Sequence, residues 1–170
     1  KVFADWGETL VRNSDYMYLR NDKRFDYLEG DIVNSNGRRT PVSEFKSFLE
    51  KVVVPYSQSE GYHLSETKKD YLVGALARIN FNKDLLNTRT AADTGQYLKI
   101  FPSHNIHHNN LAQAVEILQC VDDAIEILKT IRINPEEKPV RKLVQAGVGM
   151  GVIEAPRGIL YHMAKVNEKG

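Results

Sequence analysis

The segment Phe101–Leu128, FPSHNIHHNNLAQAVEILQCVDDAIEIL, contains the most regular hydrophobic pattern of the chain. Its apolar residues recur at the spacing expected for one face of an α-helix. Pro102 and Ser103 precede the pattern and are typical of residues that open a helix. The pattern extends to Ile131 and consists of Ile106, Leu111, Val115, Leu118, Val121, Ile125, Leu128 and Ile131. We expect one long helix that forms the backbone of the domain.

The sequence before this helix predicts shorter elements. A helix is expected within residues 83–100, whereas YLVGALARI (Tyr71–Ile79) fits a buried strand or a short helix, and its periodicity does not decide between them. Residues 56–70 are polar and patternless, so we expect a loop. Ser43 stands at the N-cap position of a predicted helix that ends at Pro55.

The two ends of the chain contain turn signals. Residues 3–19 have apolar residues at roughly helical spacing, and Phe25–Val33 has strand character. Asn36-Gly37 predicts a hairpin turn, with Arg38–Val42 as the returning strand. After a linker at residues 134–139, the remaining residues predict a final hairpin around Pro156-Arg157-Gly158.

Composition limits the classes of protein to consider. The 170 residues include 23 Lys and Arg against 22 Asp and Glu, a net charge of +1 that does not favour nucleic acid or an anionic membrane as a partner. No run of about eighteen apolar residues and no leader pattern is present, so we expect a cytoplasmic protein without a membrane span. We predict a single domain over residues 1–170, of α+β class and mainly helical, with a central long helix and short β-hairpins. The first and last residues suggest a piece excised from a longer chain.

Three histidines at the start of the long helix are candidate metal ligands. His104 would share a helical face with His107 or His108, which is a geometry that zinc accepts. No carboxylate or cysteine lies beside them to complete a ligand set. The favoured interpretation is structural, with these histidines and the neighbouring asparagine side chains capping the helix start and forming hydrogen bonds to adjacent segments.

Two further features have ordinary interpretations. Gly147, Gly149 and Gly151 form G-x-G-x-G, but no helix is predicted to follow, so close backbone packing is favoured over a phosphate-binding loop. Cys120, the only cysteine, is interpreted as a small buried apolar residue, because no signature of a catalytic thiol accompanies it.

Arg157 lies between apolar runs in GVGMGVIEAPRGILYH, flanked by Pro156 and Gly158. One interpretation is a surface turn in which Arg157 pairs with Glu154, an arrangement that contributes little to stability. The other is a guanidinium held in a fixed position for a function. The residues alone do not decide between them.

The sequence resembles the large, catalytic subunit of nickel-iron hydrogenases. Three stretches carry the resemblance in order: YLVGALARIN, FPSHNIHHNNLAQAVEILQCVDDAIEIL and GVGMGVIEAPRG. The second is similar to the cytoplasmic multi-subunit branch of that family. The resemblance covers most of the chain and implies a middle fragment of the large-subunit fold.

This resemblance implies an enzyme that reversibly oxidises dihydrogen, as part of the full-length subunit. It implies a nickel-iron centre held by two C-x-x-C pairs, which this chain lacks, so no metal ligand is predicted here and the fragment alone is expected to be inactive. The implied partners are the iron-sulfur small subunit of hydrogenase together with further electron-transfer subunits.

The resemblance also implies roles for the hairpin turn. Arg157 would stabilise the charge separated when dihydrogen is cleaved, Ala155 and Pro156 would form the wall of the active site, and Glu154 would orient its neighbours. The alternative is a non-catalytic interaction module of the same ancestry, like the quinone-side subunits of proton-pumping complexes.

Overall fold

A computed structural model describes residues 11–58, 60–136, 138 and 145–170, which form a mixed structure of strands and helices. The strands are β1 (Asp15–Arg20), β2 (Asp31–Asn34), β3 (Arg39–Thr40), β4 (Leu49–Val52), β5 (Gly61–Leu64), β6 (Tyr71–Leu72), β7 (Gly147–Ala155) and β8 (Gly158–Val166). The helices are α1 (Ala75–Asn82), α2 (Thr88–Leu98) and α3 (His108–Thr130), with 3₁₀ turns at Val42–Ser47 and Lys83–Leu85.

Strand β1 lies in the middle of the main sheet, whose strand order is β3-β2-β1-β6. It pairs antiparallel with β2 and parallel with β6. Successive side chains of a strand point to opposite faces, and both faces of β1 are buried. Tyr16 and Tyr18 pack against the helices, whereas Met17 and Leu19 pack in a second cluster with residues of β5 and β7.

Helix α3 packs on α1 and α2 along only part of its length. Its buried residues begin at His108 and end at Asp122. Beyond that point large apolar side chains are exposed, namely those of Ile127, Leu128 and Ile131. Among the described residues, no helix is both long and apolar enough to cross a membrane.

The structure confirms several predicted elements. The long helix is α3, the helix within residues 83–100 is α2, and the final hairpin is β7–β8. The Asn36-Gly37 turn joins β2 to β3, and Gly37 has a φ of 83° that glycine adopts without strain. Strands outnumber α-helices in the described part of the chain. The large-subunit fold and the single domain over residues 1–170 stay predictions.

The predicted helix from Ser43 to Pro55 is wrong. A 3₁₀ turn occupies Val42–Ser47, its N-cap residue is Pro41 without a side-chain cap hydrogen bond, and β4 follows. Strand β4 pairs with β5, which lies inside the predicted loop of residues 56–70, so that loop is also corrected. Burial of Phe48 and Leu64 in one cluster accounts for the hairpin, because tertiary packing outweighs a local helical pattern.

Residues 3–19 have a helical pattern in the sequence, but the structure has a strand in the part of this segment that it describes. Residues 1–10 lie outside the described part of the chain. Met17 and Tyr18 belong to β1, where their side chains reach opposite buried clusters. A strand buried on both faces lacks the alternation that identifies most strands, so its apolar run resembles a helix.

The ambiguous segment Tyr71–Ile79 contains both predicted elements. Strand β6 ends at Leu72, and α1 begins at Ala75 after Gly74, which has a φ of 92°. A Cβ atom at Gly74 would lie 3.2 Å from the carbonyl carbon and oxygen of Arg157. A Cβ atom at Gly158 would lie 2.7 Å from Cγ2 of Val73, so the Val73 side chain would have to move to accommodate it. The β7–β8 turn therefore packs closely against the junction of β6 and α1.

We predict that Gly74→Ala lowers the free energy of unfolding by more than about 1 kcal/mol, because Ala is strained at positive φ and its Cβ meets backbone. Gly95→Ala is the matched control, since Gly95 lies in α2 and a Cβ there contacts nothing within 4 Å. It should raise stability by about 0.5–1 kcal/mol. Urea unfolding of both variants measures the difference, and equal effects would contradict the close approach.

Candidate functional site

The turn between β7 and β8 carries the residues that the sequence singled out. Ala155 pairs with Gly158, so Pro156 and Arg157 form a two-residue loop. Pro156 and Arg157 are exposed, Ala155 is half-buried, and Glu154 is buried. The turn thus presents Arg157 outwards and places Glu154 in the interior.

A cavity of about 480 Å³ lies beside this turn. Its lining includes Arg157 and Arg12, together with apolar residues of the β6–α1 junction and Ile106. Asn109 of α3 also lines it, and its Oδ1 accepts a hydrogen bond from the backbone N–H of Leu76 at 3.1 Å. Arg157 therefore borders a cavity whose walls are set by the first turns of α1 and α3.

Arg78 lies fully buried behind the turn, in the middle of α1. Its Nε and Nη2 donate to the two carboxylate oxygens of Glu116 in α3, at 2.5 and 2.8 Å. Its Nη1 donates to Oε2 of Glu154 at 2.7 Å. One guanidinium therefore joins α1, α3 and β7.

The same guanidinium binds the backbone of the turn. Nη1 of Arg78 donates to the carbonyl oxygen of Ala155 at 2.9 Å, and Nη2 donates to that of Pro156 at 3.3 Å. These are the two residues immediately before Arg157. Arg78 thus links the helices directly to the loop that carries the exposed arginine.

Glu154 and Tyr27 complete the network. Oε1 of Glu154 accepts from the backbone N–H of Leu19 at 2.8 Å, and the backbone N–H of Glu154 donates to the Tyr27 carbonyl at 2.7 Å. The Tyr27 ring lies 5.5 Å from Cζ of Arg78, a cation–π distance. Glu154, at the start of the turn, is therefore bonded to β1 and to the segment between β1 and β2 that contains Tyr27.

Burial and pairing oppose each other in this network. Burial raises the pKa of Glu154 to about 7, although the charge of Arg78 and the bonds from Leu19 and Arg78 act to lower it. Burial likewise raises the pKa of Glu116. Burial alone would lower the pKa of Arg78, but its bonds with Glu116 and Glu154 outweigh burial and raise it. Arg78 is therefore a permanent cation that faces two carboxyl groups.

The pairing of Arg157 with Glu154 is wrong. Both carboxylate oxygens of Glu154 bind elsewhere, one to Leu19 and one to Arg78. Within the described part of the chain, no carboxylate forms an ion pair with Arg157. The arginine of the turn is thus not held by the acid beside it.

Sequence reasoning missed Arg78 and Glu116, although each carried a signal. Arg78 is a charged residue inside the apolar segment Tyr71–Ile79. Glu116 shares the buried face of α3 with Ala112 and Gln119, where a carboxylate requires a partner. Two opposite charges on predicted core faces indicate a buried ion pair.

His104 and His108 form hydrogen bonds to adjacent segments, as the structural interpretation of the three histidines predicts. Nδ1 of His108 lies 2.7 Å from Oγ of Ser103, and Nδ1 of His104 lies 3.3 Å from the Tyr16 hydroxyl. His107 precedes α3 but its side chain does not cap the helix, so the predicted capping is wrong at that position.

The residues described do not fit a metal centre. Among residues 11–58, 60–136, 138 and 145–170, no group of three His, Cys, Asp or Glu side chains could hold an ion. Cys120 is exposed on α3, not buried as predicted, and its Sγ lies 3.6 Å from the Tyr27 hydroxyl. A single thiol does not supply the ligand set that a nickel-iron centre requires.

The three glycines of G-x-G-x-G lie in strand β7, and no helix follows them, which argues against a phosphate-binding loop. A Cβ atom at Gly147, Gly149 or Gly151 would contact nothing within 4 Å. The predicted close packing of these glycines is therefore not found within the described residues.

We predict that the free energy of unfolding, measured against that of Glu154→Gln, falls as the pH rises from about 5 to 8. A carboxyl with a pKa of about 7 in the folded protein and 4.5 usually binds more protons folded than unfolded. Its stabilising contribution is full below about pH 4.5 and is lost as the pH passes 7, a change of about 3 kcal/mol. Glu168→Gln, at an exposed acid, is the control. Parallel pH profiles for wild type and Glu154→Gln would show that Glu154 ionises as it does in water.

Comparison with known proteins relates the chain to hydrogenases. No family model matches it. It is 30% identical over 141 residues to the alpha subunit of sulfhydrogenase 1 of Pyrococcus furiosus, covering 82% of this chain and 32% of that protein. It is 29% identical over 189 residues to an iron-sulfur subunit of the F420-non-reducing hydrogenase of Archaeoglobus profundus, covering 99% and 38%. It is 27% identical over 163 residues to the beta subunit of the NAD-reducing hydrogenase HoxS of Cupriavidus necator, covering 88% and 33%.

These relatives correct the resemblance drawn from the sequence. Their names describe an alpha, an iron-sulfur and a beta subunit, and none of these names describes a nickel-iron large subunit. The assignment to the nickel-iron large subunit is therefore corrected. The chain spans about a third of the length of these relatives. At the coarser level the comparison is clear: the chain is related to subunits of hydrogenases, which are oxidoreductases built from several subunits.

Proposed function

We propose that this chain is the part of a hydrogenase subunit that presents Arg157 to the place where dihydrogen is converted into protons and electrons. The observation that supports this most directly is the turn itself. Arg157 is exposed beside a cavity, whereas the backbone immediately before it is held from within by Arg78. The chain's relatives supply the reaction class, and the turn supplies a candidate residue.

A permanently charged guanidinium on an anchored turn suits this reaction. Heterolytic cleavage of dihydrogen separates a hydride from a proton, both of which would be accepted by groups of the complete enzyme other than Arg157. A positive charge held nearby lowers the cost of that separation. Arginine keeps its charge at all ordinary pH values, and its planar group has a defined orientation. The two electrons released in the overall oxidation would leave through partner subunits. Arg157 thus serves as an electrostatic group and not as a proton acceptor.

The neighbours of Arg157 have distinct proposed roles. Ala155 and Pro156, which precede Arg157 in the turn, would form a wall beside it, and their carbonyl oxygens are held by Arg78. Glu154 is buried and contacts Arg78, so it orients its neighbours and does not meet reactants. This division follows from exposure, since only exposed groups can reach a reacting molecule.

An interaction module is the second candidate function, and one surface favours it. Ile117, Val121, Leu128 and Ile131 are all exposed on α3 or at its end, each by 49% or more. Their spacing places them on one side of the helix, as in a helix–helix interface. Such a module would hold subunits together and leave Arg157 without a chemical role.

Substitution of Arg157 separates the two functions. In the natural protein, purified from its host with its partners, Arg157→Lys should lower hydrogen-dependent turnover by about 10²–10³, because an ammonium lacks the planar, oriented charge. Arg132→Lys, at another exposed arginine, is the control and should leave turnover unchanged. Turnover is measured with an artificial electron acceptor. Near-normal turnover of Arg157→Lys would favour the interaction module.

A further inference from the structure

We infer that Arg78 is a positioning residue, which fixes the turn that carries Arg157 and acts on the proposed reaction only through it. The catalytic consequence rests on the proposed function. The contacts by which Arg78 holds the turn do not depend on the proposed function, because they lie within this chain.

Every donor of the Arg78 guanidinium is used. An arginine has five N–H donors, and Arg78 makes five hydrogen bonds. Three go to the carboxylates of Glu116 and Glu154, and two go to the carbonyl oxygens of Ala155 and Pro156. A side chain recruited only to neutralise buried acids would not need the two bonds to the turn.

Glu116 sets the direction of these bonds. Its two oxygens bind Nε and Nη2 of Arg78, which is the bidentate arrangement that fixes the plane of a guanidinium. With that plane fixed, Nη1 and the second donor of Nη2 point to the turn. The position of α3 is thereby transmitted through Arg78 to the backbone before Arg157.

A lysine at position 78 cannot reproduce this arrangement. It has three donors on one nitrogen, and they cannot serve two carboxylates and two carbonyls in the same plane. Arg78→Lys should therefore retain the charge and release the turn. The variant therefore tests the positioning of the turn separately from the neutralisation of Glu116 and Glu154.

The first measurement uses the chain without any assay of activity. Trypsin cleavage of the Arg157–Gly158 bond should be about 10-fold faster in Arg78→Lys, relative to cleavage after Arg132, because local opening exposes a bond to proteases. Cleavage after Lys51 in β4 monitors opening elsewhere. A uniform increase at all three bonds, or no increase at Arg157, would overturn the inference.

The second measurement is a double-mutant cycle in the purified complex. Arg78→Lys should lower kcat by about 10-fold with KM for dihydrogen within about twofold, and adding it to Arg157→Lys should cause little further loss. A merely structural role predicts losses that multiply, and that result would contradict the inference. If Arg157→Lys alone has no effect, the proposed function fails, whereas the trypsin result still decides the role of Arg78.

A charge-balanced variant covers the case in which Arg78→Lys does not fold. Arg78→Lys combined with Glu116→Gln leaves one cation facing one carboxylate, so no excess charge is buried. It still lacks the planar donors for Ala155 and Pro156. Cleavage at Arg157 should rise in this variant too, and wild-type resistance there would overturn the inference.

Discussion

The structure depends on one buried guanidinium. Arg78 bridges α1, α3 and β7 and reaches the turn between β7 and β8, and its side chain is inaccessible to solvent. Removing one partner from such a network leaves an uncompensated charge in the interior, which typically costs about 3–5 kcal/mol. The network therefore determines the position of the hairpin as well as the packing of the helices.

Two arginines close together in space have different environments and, in our account, different tasks. Arg78 has no contact with solvent and all its donors are occupied, so its role is to hold the neighbouring elements in position. Arg157 is exposed beside a cavity, so its charge is available to another molecule. The short sequence Glu-Ala-Pro-Arg-Gly contains three of the four residues that the side chain of Arg78 binds, namely Glu154, Ala155 and Pro156, and also contains Arg157. Because Glu154, Ala155 and Pro156 are bonded to Arg78, the position of the turn that carries Arg157 depends on the interior of the protein.

Long periodic elements could be predicted from the sequence, whereas elements defined by distant contacts could not. Helix α3 and the Asn36-Gly37 turn depend on local pattern, and both were found. Strand β1 is buried on both faces and β4 depends on its pairing with β5, so neither has a local signature. Arg157 is singled out through the resemblance of its motif, and its role stays a prediction. Arg78 and Glu116 are 38 residues apart, and only the packing of α1 on α3 brings them together.

The state of the Arg78 side chain is the central claim, and nitrogen-15 NMR of arginine side chains tests it most directly. Five simultaneous hydrogen bonds should stop rotation of the guanidinium and slow exchange of its protons, because all five bonds must break before the group can rotate. We expect separate, slowly exchanging Nη signals for Arg78 at neutral pH and a single averaged signal for exposed Arg132. An averaged, rapidly exchanging signal for Arg78 would contradict the account.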